Sequence, residues 1–437
     1  MLLDPRFQDP KDAGQGAVSA IDRNQNSMFR ISWWNLVGPI SLAVLAYSGQ
    51  LGASPILNWM PINVTVLASS VVLICFIASF INNKFINPFI LVALFMWVLL
   101  LLPAIWYVPG TYSSEKIFLI GTLMLLCLVA PFELLRLSLQ RVAFLWSLVI
   151  IAILTGLLAL TDGAAAAARV GLASETLILE GANTISTARI IGTGALILIA
   201  YSLQTYGSKL RKMLILTSGL ILVLIMVFTG SRGPSAAIIT GLLVFTLFSL
   251  TLERKRARSV FLLVIVSGLA VYYYGFQDNI SNDRAFAWLF GERDTSTQAR
   301  ERLWETAAEF TLNSPSGSGW GGFSTIAGVP TSLQYPHNLF LELYVETGWL
   351  IATFVILVIG VSLVVLWRKS ADPTVAIIFA LAIFAVSNSL VSGDINDNRI
   401  LWMLIAVGLL SNRFPSSLGG RGRKSIDLEF RATGSTN

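Results

Sequence analysis

The chain has 437 residues, of which 55% are hydrophobic and 12% are charged, and its formal net charge is +6. A mean hydropathy of +0.73 excludes an ordinary soluble globular protein and places the chain among membrane proteins. Apolar runs near the ~20 residues that cross a bilayer recur along the whole sequence. They predict an all-α integral membrane protein with about twelve transmembrane helices; the first and last runs are short, so eleven is the alternative. The predicted intervals are 33–49, 60–82, 86–108, 117–135, 142–160, 188–206, 213–229, 233–252, 259–276, 348–367, 374–393 and 399–412.

The connecting segments divide the chain into five parts. An N-terminal tail, 1–32, precedes transmembrane helices 1 to 9 in 33–276. A large loop, 277–347, separates these from helices 10 to 12 in 348–412, and a basic tail, 413–437, follows. The N-terminal tail lacks the apolar core of a signal peptide, so we expect no cleavage.

Lysine and arginine in the short loops predict the orientation. If the N-terminus is cytoplasmic, most of the 30 cationic residues lie on the cytoplasmic side, as the positive-inside rule requires. We therefore expect both termini in the cytoplasm and the large loop on the outer side of the membrane. Long loops on a membrane scaffold commonly carry function.

The large loop contains "DTSTQARERLWETAAEF", which predicts an amphipathic helix. Thr295 and Gln298 have the spacing of a capping box. The helix would lie along the membrane surface or pack over the ends of the spans. Its apolar side would be formed by Leu303, Trp304, Ala307 and Phe310.

A glycine-rich stretch, "NSPSGSGWGGFS", follows this helix and contains the pattern GxGxxG at Gly317, Gly319 and Gly322. No strand precedes the pattern, so it does not indicate a dinucleotide site. A flexible turn is the favoured interpretation, and a backbone nest for an anion is the alternative.

Several arginines lie on the outer side, against the trend of the other cations. Arg232 is in the short turn "VFTGSRGPSA", and Arg189 is near the start of the predicted helix in "TISTARIIGT". Snorkelling to the headgroups would explain one such arginine. Together with Arg300, Arg302 and Arg399, they favour an anion site, because guanidinium groups suit bidentate phosphate contacts.

The only histidine of the chain, His337, lies in "TSLQYPHNLFLELYVETGWL". Asn338 can cap a helix that begins at Leu339, and Asn338, Glu342 and Glu346 then share one stripe. The positive end of a helix and nearby arginines disfavour the imidazolium ion. A neutral imidazole can accept a proton, so we favour a general base over a histidine that merely hydrogen-bonds its loop.

Four stretches, "TGSRGP", "ARERLWETAAEFTLNSPSGSGWGGFS", "PHNLFLELYVETGWL" and "GDINDNRILWMLIAVGLL", occur in this order. Over about 183–412 the chain resembles the bacterial O-antigen ligase and O-antigen polymerase superfamily. The resemblance implies a multi-pass inner-membrane glycosyltransferase with its active site facing the periplasm. It also implies transfer of a glycan from undecaprenyl diphosphate to an acceptor hydroxyl. Family members often have glycine where this chain has Leu350 and Ile351.

The resemblance implies roles for individual residues. His337 corresponds to the loop histidine, Arg232 to the arginine after the small-residue turn, and Arg189 to an arginine that binds diphosphate. We therefore expect His337 and Arg232 to be catalytic, with the histidine as base and the arginines on the departing diphosphate. The expected substrate-binding residues are Arg189, Arg300, Arg302, Arg399, Asn338 and Glu342.

We expect no cofactor and no metal, because the outer loops contain no DxD motif; Asp394 and Asp397 are a less favoured cation site.

The acceptor is either lipid A core, in a ligase of lipopolysaccharide biosynthesis, or a second lipid-linked glycan, in an O-antigen or exopolysaccharide polymerase. We expect membrane lipid but no nucleic acid as a partner. A polysaccharide transporter is the competing class, although transporters tend to carry ionisable groups near the bilayer midplane. Glycan identity, acceptor and oligomeric state stay open at this point.

Overall fold

The computed structural model describes residues 34–54, 57, 59–82, 87–170, 183–204, 208–248, 295–328 and 334–411. Within these ranges the chain is helical and contains no strand, which confirms the all-α prediction. A 3-10 turn lies at Leu102–Trp106, and a π-helical turn lies at Ile120–Met124. The helices are α1 Trp34–Gly52, α2 Val64–Asn82, α3 Phe89–Leu101, α4 Thr111–Leu119, α5 Leu125–Val129, α6 Pro131–Leu134, α7 Ser138–Val170, α8 Thr184–Gln204, α9 Lys209–Phe228, α10 Arg232–Phe248, α11 Thr295–Asn313, α12 Gly322–Ala327, α13 Leu339–Arg368, α14 Pro373–Ser389 and α15 Arg399–Ser411.

Seven segments of the described chain are long and apolar enough to cross a membrane. They are Val64–Asn82, Phe89–Trp106, Thr111–Leu134, Ser138–Thr161, Thr184–Gln204, Lys209–Phe228 and Leu339–Arg368. Three shorter apolar helices are Arg232–Leu247, Pro373–Ser389 and Arg399–Ser411. Every predicted interval coincides with a helix except 259–276, which lies outside the described residues. The count of about twelve crossings therefore stays a prediction.

The core of the bundle surrounds α15, in which every residue from Leu401 to Ser411 is buried. The α15 helix crosses α13 closely, with the Ser362 hydroxyl donating to the carbonyl oxygen of Ile405 at 2.7 Å. In contrast, α2 and α9 leave most of their apolar side chains exposed. Such surfaces suit hydrocarbon, in which packing rather than water exclusion holds helices together.

The glycine-rich segment, residues 314–321, joins α11 to α12. Gly317, Gly319 and Gly321 have φ angles of 74°, 77° and 80°, in the region that favours glycine. A Cβ atom on Gly319 would lie 2.3 Å from the carbonyl oxygen of Trp106. The backbone of this turn thus approaches Trp106, the last residue of the segment Phe89–Trp106, so closely that a residue with a side chain would not fit at position 319.

The same turn packs against a kink in α13, where Gly348 has φ 80° and ψ 171°. The Ser318 amide donates to the carbonyl oxygen of Val345 at 2.8 Å. The Gly319 amide donates to the carbonyl oxygen of Glu346 at 3.0 Å. These donors are the ones that an anion nest would need, so the structure argues against the nest, and it shows a packed turn in place of a flexible one.

The amphipathic helix is confirmed as α11, which packs over the start of α13. Leu303 and Ala307 are buried in a small apolar cluster with Phe323 of α12 and Val345 of α13. Of the two arrangements that the sequence leaves open, the helix adopts the one in which it covers the ends of other helices. It thereby covers the N-terminal end of α13.

One loop, residues 390–398 between α14 and α15, lies at the centre of this end of the bundle. Its hydrogen-bond partners include Tyr112 of α4, Arg189 of α8 and Glu342 of α13. The starts of α4, α8, α13 and α15 and the end of α14 therefore meet at one place. We call this place the site end of the bundle.

Candidate active site

His337 occupies the site end in an unusual backbone conformation. Its φ is 55°, and among the described residues it is the only non-glycine with a positive φ. On one side, the Trp304 indole donates to the carbonyl oxygen of Pro336 at 2.8 Å. On the other, Asn338 Oδ1 accepts from the amides of Phe340 at 3.0 Å and Leu341 at 3.2 Å. The predicted cap is confirmed, and a strained residue held from both sides is typical of a functional position.

The imidazole of His337 lies half-buried beside the Tyr335 ring, with 4.4 Å between the ring centroids. Its Nδ1 atom is buried and has no hydrogen-bond partner within the described chain. Burial, followed by the positive charge of Arg300, lowers the pKa of His337 to about 4, while Asp394 opposes the shift. The ring is therefore neutral at pH 7 and can accept a proton. Burial, which sequence reasoning did not foresee, contributes most to this neutrality.

The loop 390–398 is organised around Asp394. Its Oδ1 accepts from the amide of Asn396 at 2.9 Å and from that of Asp397 at 2.8 Å. Its Oδ2 accepts from the Tyr112 hydroxyl at 3.3 Å. Asp394 thus fixes the shape of its own loop and supplies the negative charge that acts on His337.

Arg189 projects from α8 into the same loop. Its Nη2 donates to the carbonyl oxygen of Asn388 at 3.0 Å and to that of Ser392. Its Nε is buried without a hydrogen-bond partner in the described part of the chain. Arg189 therefore holds the carboxyl end of α14 and keeps one donor uncommitted.

A small, partly open cleft lies beside this arginine. The exposed side chain of Asp397 contributes a carboxylate to the wall of this cleft. This carboxylate interacts electrostatically with the positive charges of Arg189 and Arg399. The other polar groups at its wall are uncharged. They include Tyr47, Gln50, Ser186, Asn388 and Asn398.

Two further arginines begin helices at this loop. Arg232 is the half-buried first residue of α10, and the next residue, Gly233, lies against Val391. Arg399 is the first residue of α15, and its Nη1 donates to the Ser48 hydroxyl at 2.7 Å. The structure thus brings both arginines to the loop that Arg189 holds.

The two arginines of α11 differ in their surroundings. Arg300 is half-buried and acts electrostatically on His337, whereas Arg302 is exposed. Residues two apart on a helix do not face the same side. Of the two arginines, Arg300 therefore belongs to the electrostatic environment of the histidine, and Arg302 faces another side of the helix.

Glu342 has surroundings different from those expected of a substrate-binding residue. Its side chain is fully buried, and Oε1 lies 2.5 Å from the Lys116 ammonium. The structure thus places Glu342 in an interior ion pair instead of at the cleft. Sequence reasoning missed Lys116, although an ionisable residue at the start of an apolar run is a usable signal.

Within the described ranges, no group of three or more His, Cys, Asp or Glu side chains could hold a metal ion. Asp394 and Asp397 occur as a pair only, and the Asp394 carboxylate already accepts hydrogen bonds from its own loop. Cys75 and Cys127 are buried and free. The expectation of metal-independent chemistry stays a prediction.

Residues 217–356 match a family model described as O-antigen ligase. The matched region contains Arg232, Arg300 and His337, whereas Arg189 and Arg399 lie outside it. A comparison with curated proteins gave no match.

Proposed function

Residues 217–356 place the chain in the O-antigen ligase superfamily, and we propose that it transfers a glycan from undecaprenyl diphosphate to an acceptor hydroxyl. The reaction takes place at the periplasmic face of the inner membrane, in the synthesis of a surface polysaccharide. The observation that carries the proposal is the half-buried imidazole of His337, whose buried Nδ1 has no hydrogen-bond partner in the described part of the chain and which interacts electrostatically with Arg300. One group accepts a proton there, and its neighbour stabilises negative charge.

His337 acts as the general base. The acceptor oxygen attacks the anomeric carbon, its proton passes to the imidazole, and the bond between the anomeric carbon and the phosphate oxygen breaks. The diphosphate leaves with the bonding electron pair. A positioned base of this kind contributes roughly 10²- to 10⁴-fold to the rate.

Arg232 and Arg300 stabilise the departing diphosphate. Donors already oriented in a site of low water content can each contribute on the order of 3 kcal/mol. Arg189 and Arg399 have donors committed to Ser392 and Ser48 respectively. We assign these two mainly to holding the loop 390–398 in place, with Arg189 also lining the cleft beside this loop.

The decisive experiment supplies the purified protein with lipid-linked repeats, with and without lipid A core. A ligase forms a new glycosidic bond only when lipid A core is present. Chain growth without lipid A core would replace the ligase assignment by the polymerase of the same superfamily. The assay with lipid-linked repeats alone is therefore the first to run.

A transporter makes no glycosidic bond, so reconstituted liposomes separate that class from both enzymes. We expect product formation by protein whose site end faces the supplied substrates. Movement of lipid-linked glycan across the bilayer with no new bond would overturn the proposal.

A further inference from the structure

A buried cluster of charges lies beside the candidate site. The Lys116 ammonium is 2.5 Å from Glu342 Oε1 and 2.5 Å from Glu346 Oε2, and all three side chains are fully buried. Lys116 belongs to Thr111–Leu134, one of the segments apolar enough to cross a membrane. Removing such charges from water costs several kcal/mol per ion, so a buried pair adds little to stability. Its better-attested effect is to select one arrangement of the groups that it joins.

The surroundings of the ammonium restrict it to one place. It lies 5.0 Å from the ring centroid of Trp320 and 5.3 Å from that of Tyr112, both within the range of cation–π contacts. The Trp320 indole in turn donates to the carbonyl oxygen of Leu100 at 2.9 Å. The π-helical turn Ile120–Met124 begins one helical turn after Lys116, and such turns are frequent at functional sites.

The cluster connects the two elements that surround the imidazole. Glu342 and Glu346 lie one turn apart at the start of α13, directly after His337. Glu342 Oε1 also accepts from the amide of Ile395 at 3.4 Å, and Asn396 Nδ2 donates to the carbonyl oxygen of Lys116 at 3.4 Å. The lysine therefore joins the first turns of α13 to the loop that carries Asp394.

We infer that Lys116 is a positioning residue, which fixes His337 relative to Asp394 by holding Glu342 and Glu346. It touches no substrate in this role. The inference rests on the proposed function of His337 as the base. Loss of the ammonium removes the ion pairs and hydrogen bonds that hold Glu342 and Glu346, so the start of α13 is no longer fixed by Lys116.

The single histidine of the chain makes the test direct. Protein produced with isotope-labelled histidine and a histidine-free tag gives one imidazole signal by NMR. The variants are Lys116→Met and, to avoid uncompensated carboxylates, a neutral triple variant in which Lys116→Met is combined with Glu342→Gln and Glu346→Gln. Lys209→Met, at an exposed lysine where α9 begins, is the matched control.

In Lys116→Met and in the triple variant, we expect a displaced imidazole signal and a kcat lowered by on the order of 10²-fold, with KM for the lipid donor little changed. The control should match the wild type in signal and rate. An unchanged imidazole signal in either folded Lys116 variant would refute the inference; if Lys116→Met does not fold, the triple variant decides.

The imidazole signal does not depend on activity, so failure of the inference differs from failure of the proposed function. Full transfer activity in His337→Ala would remove the base assignment even if the signal moves as expected. A displaced signal together with an inactive His337→Ala supports both.

Discussion

The Trp304 indole donates a 2.8 Å hydrogen bond to the carbonyl oxygen of Pro336, the residue directly before His337. A side chain of the amphipathic helix thus holds the backbone that presents the imidazole. A second indole makes the same kind of bond on the other side of the α13 kink, where Trp349 donates to the carbonyl oxygen of Thr311 at 2.7 Å. The first bond links α11 to the segment before α13, next to the histidine, and the second links α11 to α13 itself, farther from the histidine.

Trp304→Phe should lower the rate of glycan transfer by up to ~10-fold, because it removes the donor and keeps most of the ring, and a neutral hydrogen bond contributes roughly 1 kcal/mol. Binding of the lipid donor should change little. Trp349→Phe is the matched control, since it removes an equivalent bond farther from His337. Steady-state transfer assays on equal amounts of folded protein give the comparison. Equal losses in both variants would contradict a specific link between Trp304 and the histidine.

His337→Ala should slow transfer by ~10²- to 10⁴-fold and leave donor binding largely intact. In the wild type, the rate should stay level from neutral pH downwards and fall as the pH approaches about 4, because a protonated imidazole cannot accept the proton. Initial rates measured across pH test both statements. An acid limb near the ordinary value of 6.5 would show that the ring is solvated in the working enzyme.

The same pKa shift predicts how stability depends on pH. Since the folded state lowers the pKa of His337 from 6.5 to about 4, it binds this proton less readily than the unfolded chain does. The contribution of His337 to the free energy of unfolding is thus greatest above pH 6.5 and decreases as the pH falls towards 4. Thermal unfolding in detergent should show this decrease in the wild type relative to His337→Ala. Parallel curves for the two proteins would contradict it.

Arg232→Lys should restore little of the activity that Arg232→Ala loses, because lysine keeps the charge but not the planar pair of donors that suits a diphosphate. Lysine would serve nearly as well if the residue only anchored the start of α10 near the headgroups. Transfer and donor binding should be measured after membrane insertion has been verified. Full activity in Arg232→Lys would exclude bidentate contact with the substrate.

Asn338→Asp should keep the helix cap, because a carboxylate also accepts from the amides of Phe340 and Leu341. The added negative charge beside His337 should raise the pKa of the imidazole above about 4 and move the acid limb of the rate to higher pH. Asn338→Ala should instead destabilise the protein by roughly 1 kcal/mol. An unmoved acid limb in Asn338→Asp would show that the residue lies outside the electrostatic environment of the ring.

The predicted orientation is testable with single cysteines at exposed positions. A cysteine at Glu309 on α11 should react with an impermeant thiol reagent added from the periplasmic side, whereas one at Lys209 should not. The native cysteines are buried, which keeps the background low. Reversed labelling would place the site end in the cytoplasm and overturn the proposed substrate.

Features that depend only on neighbouring residues could be predicted from the sequence. The positions of the helices were predicted from hydropathy, and the apolar side of α11 was predicted from its periodicity. Asn338 was identified as a helix cap from its position before Leu339. These features follow from local chemistry, since a helix and its cap are built from residues a few positions apart.

Which charged side chains contact each other depends on how distant parts of the chain pack together. Lys116 and Glu346 are 230 residues apart, and Arg189 and Ser392 are 203 apart, so no local pattern contains either pair. The packing buries Glu342, commits donors of Arg189 to backbone carbonyls, and lowers the pKa of His337 mainly by burial. A residue type and its spacing show that a charge is present, but its partner and its access to water are set by helices that are distant in the chain.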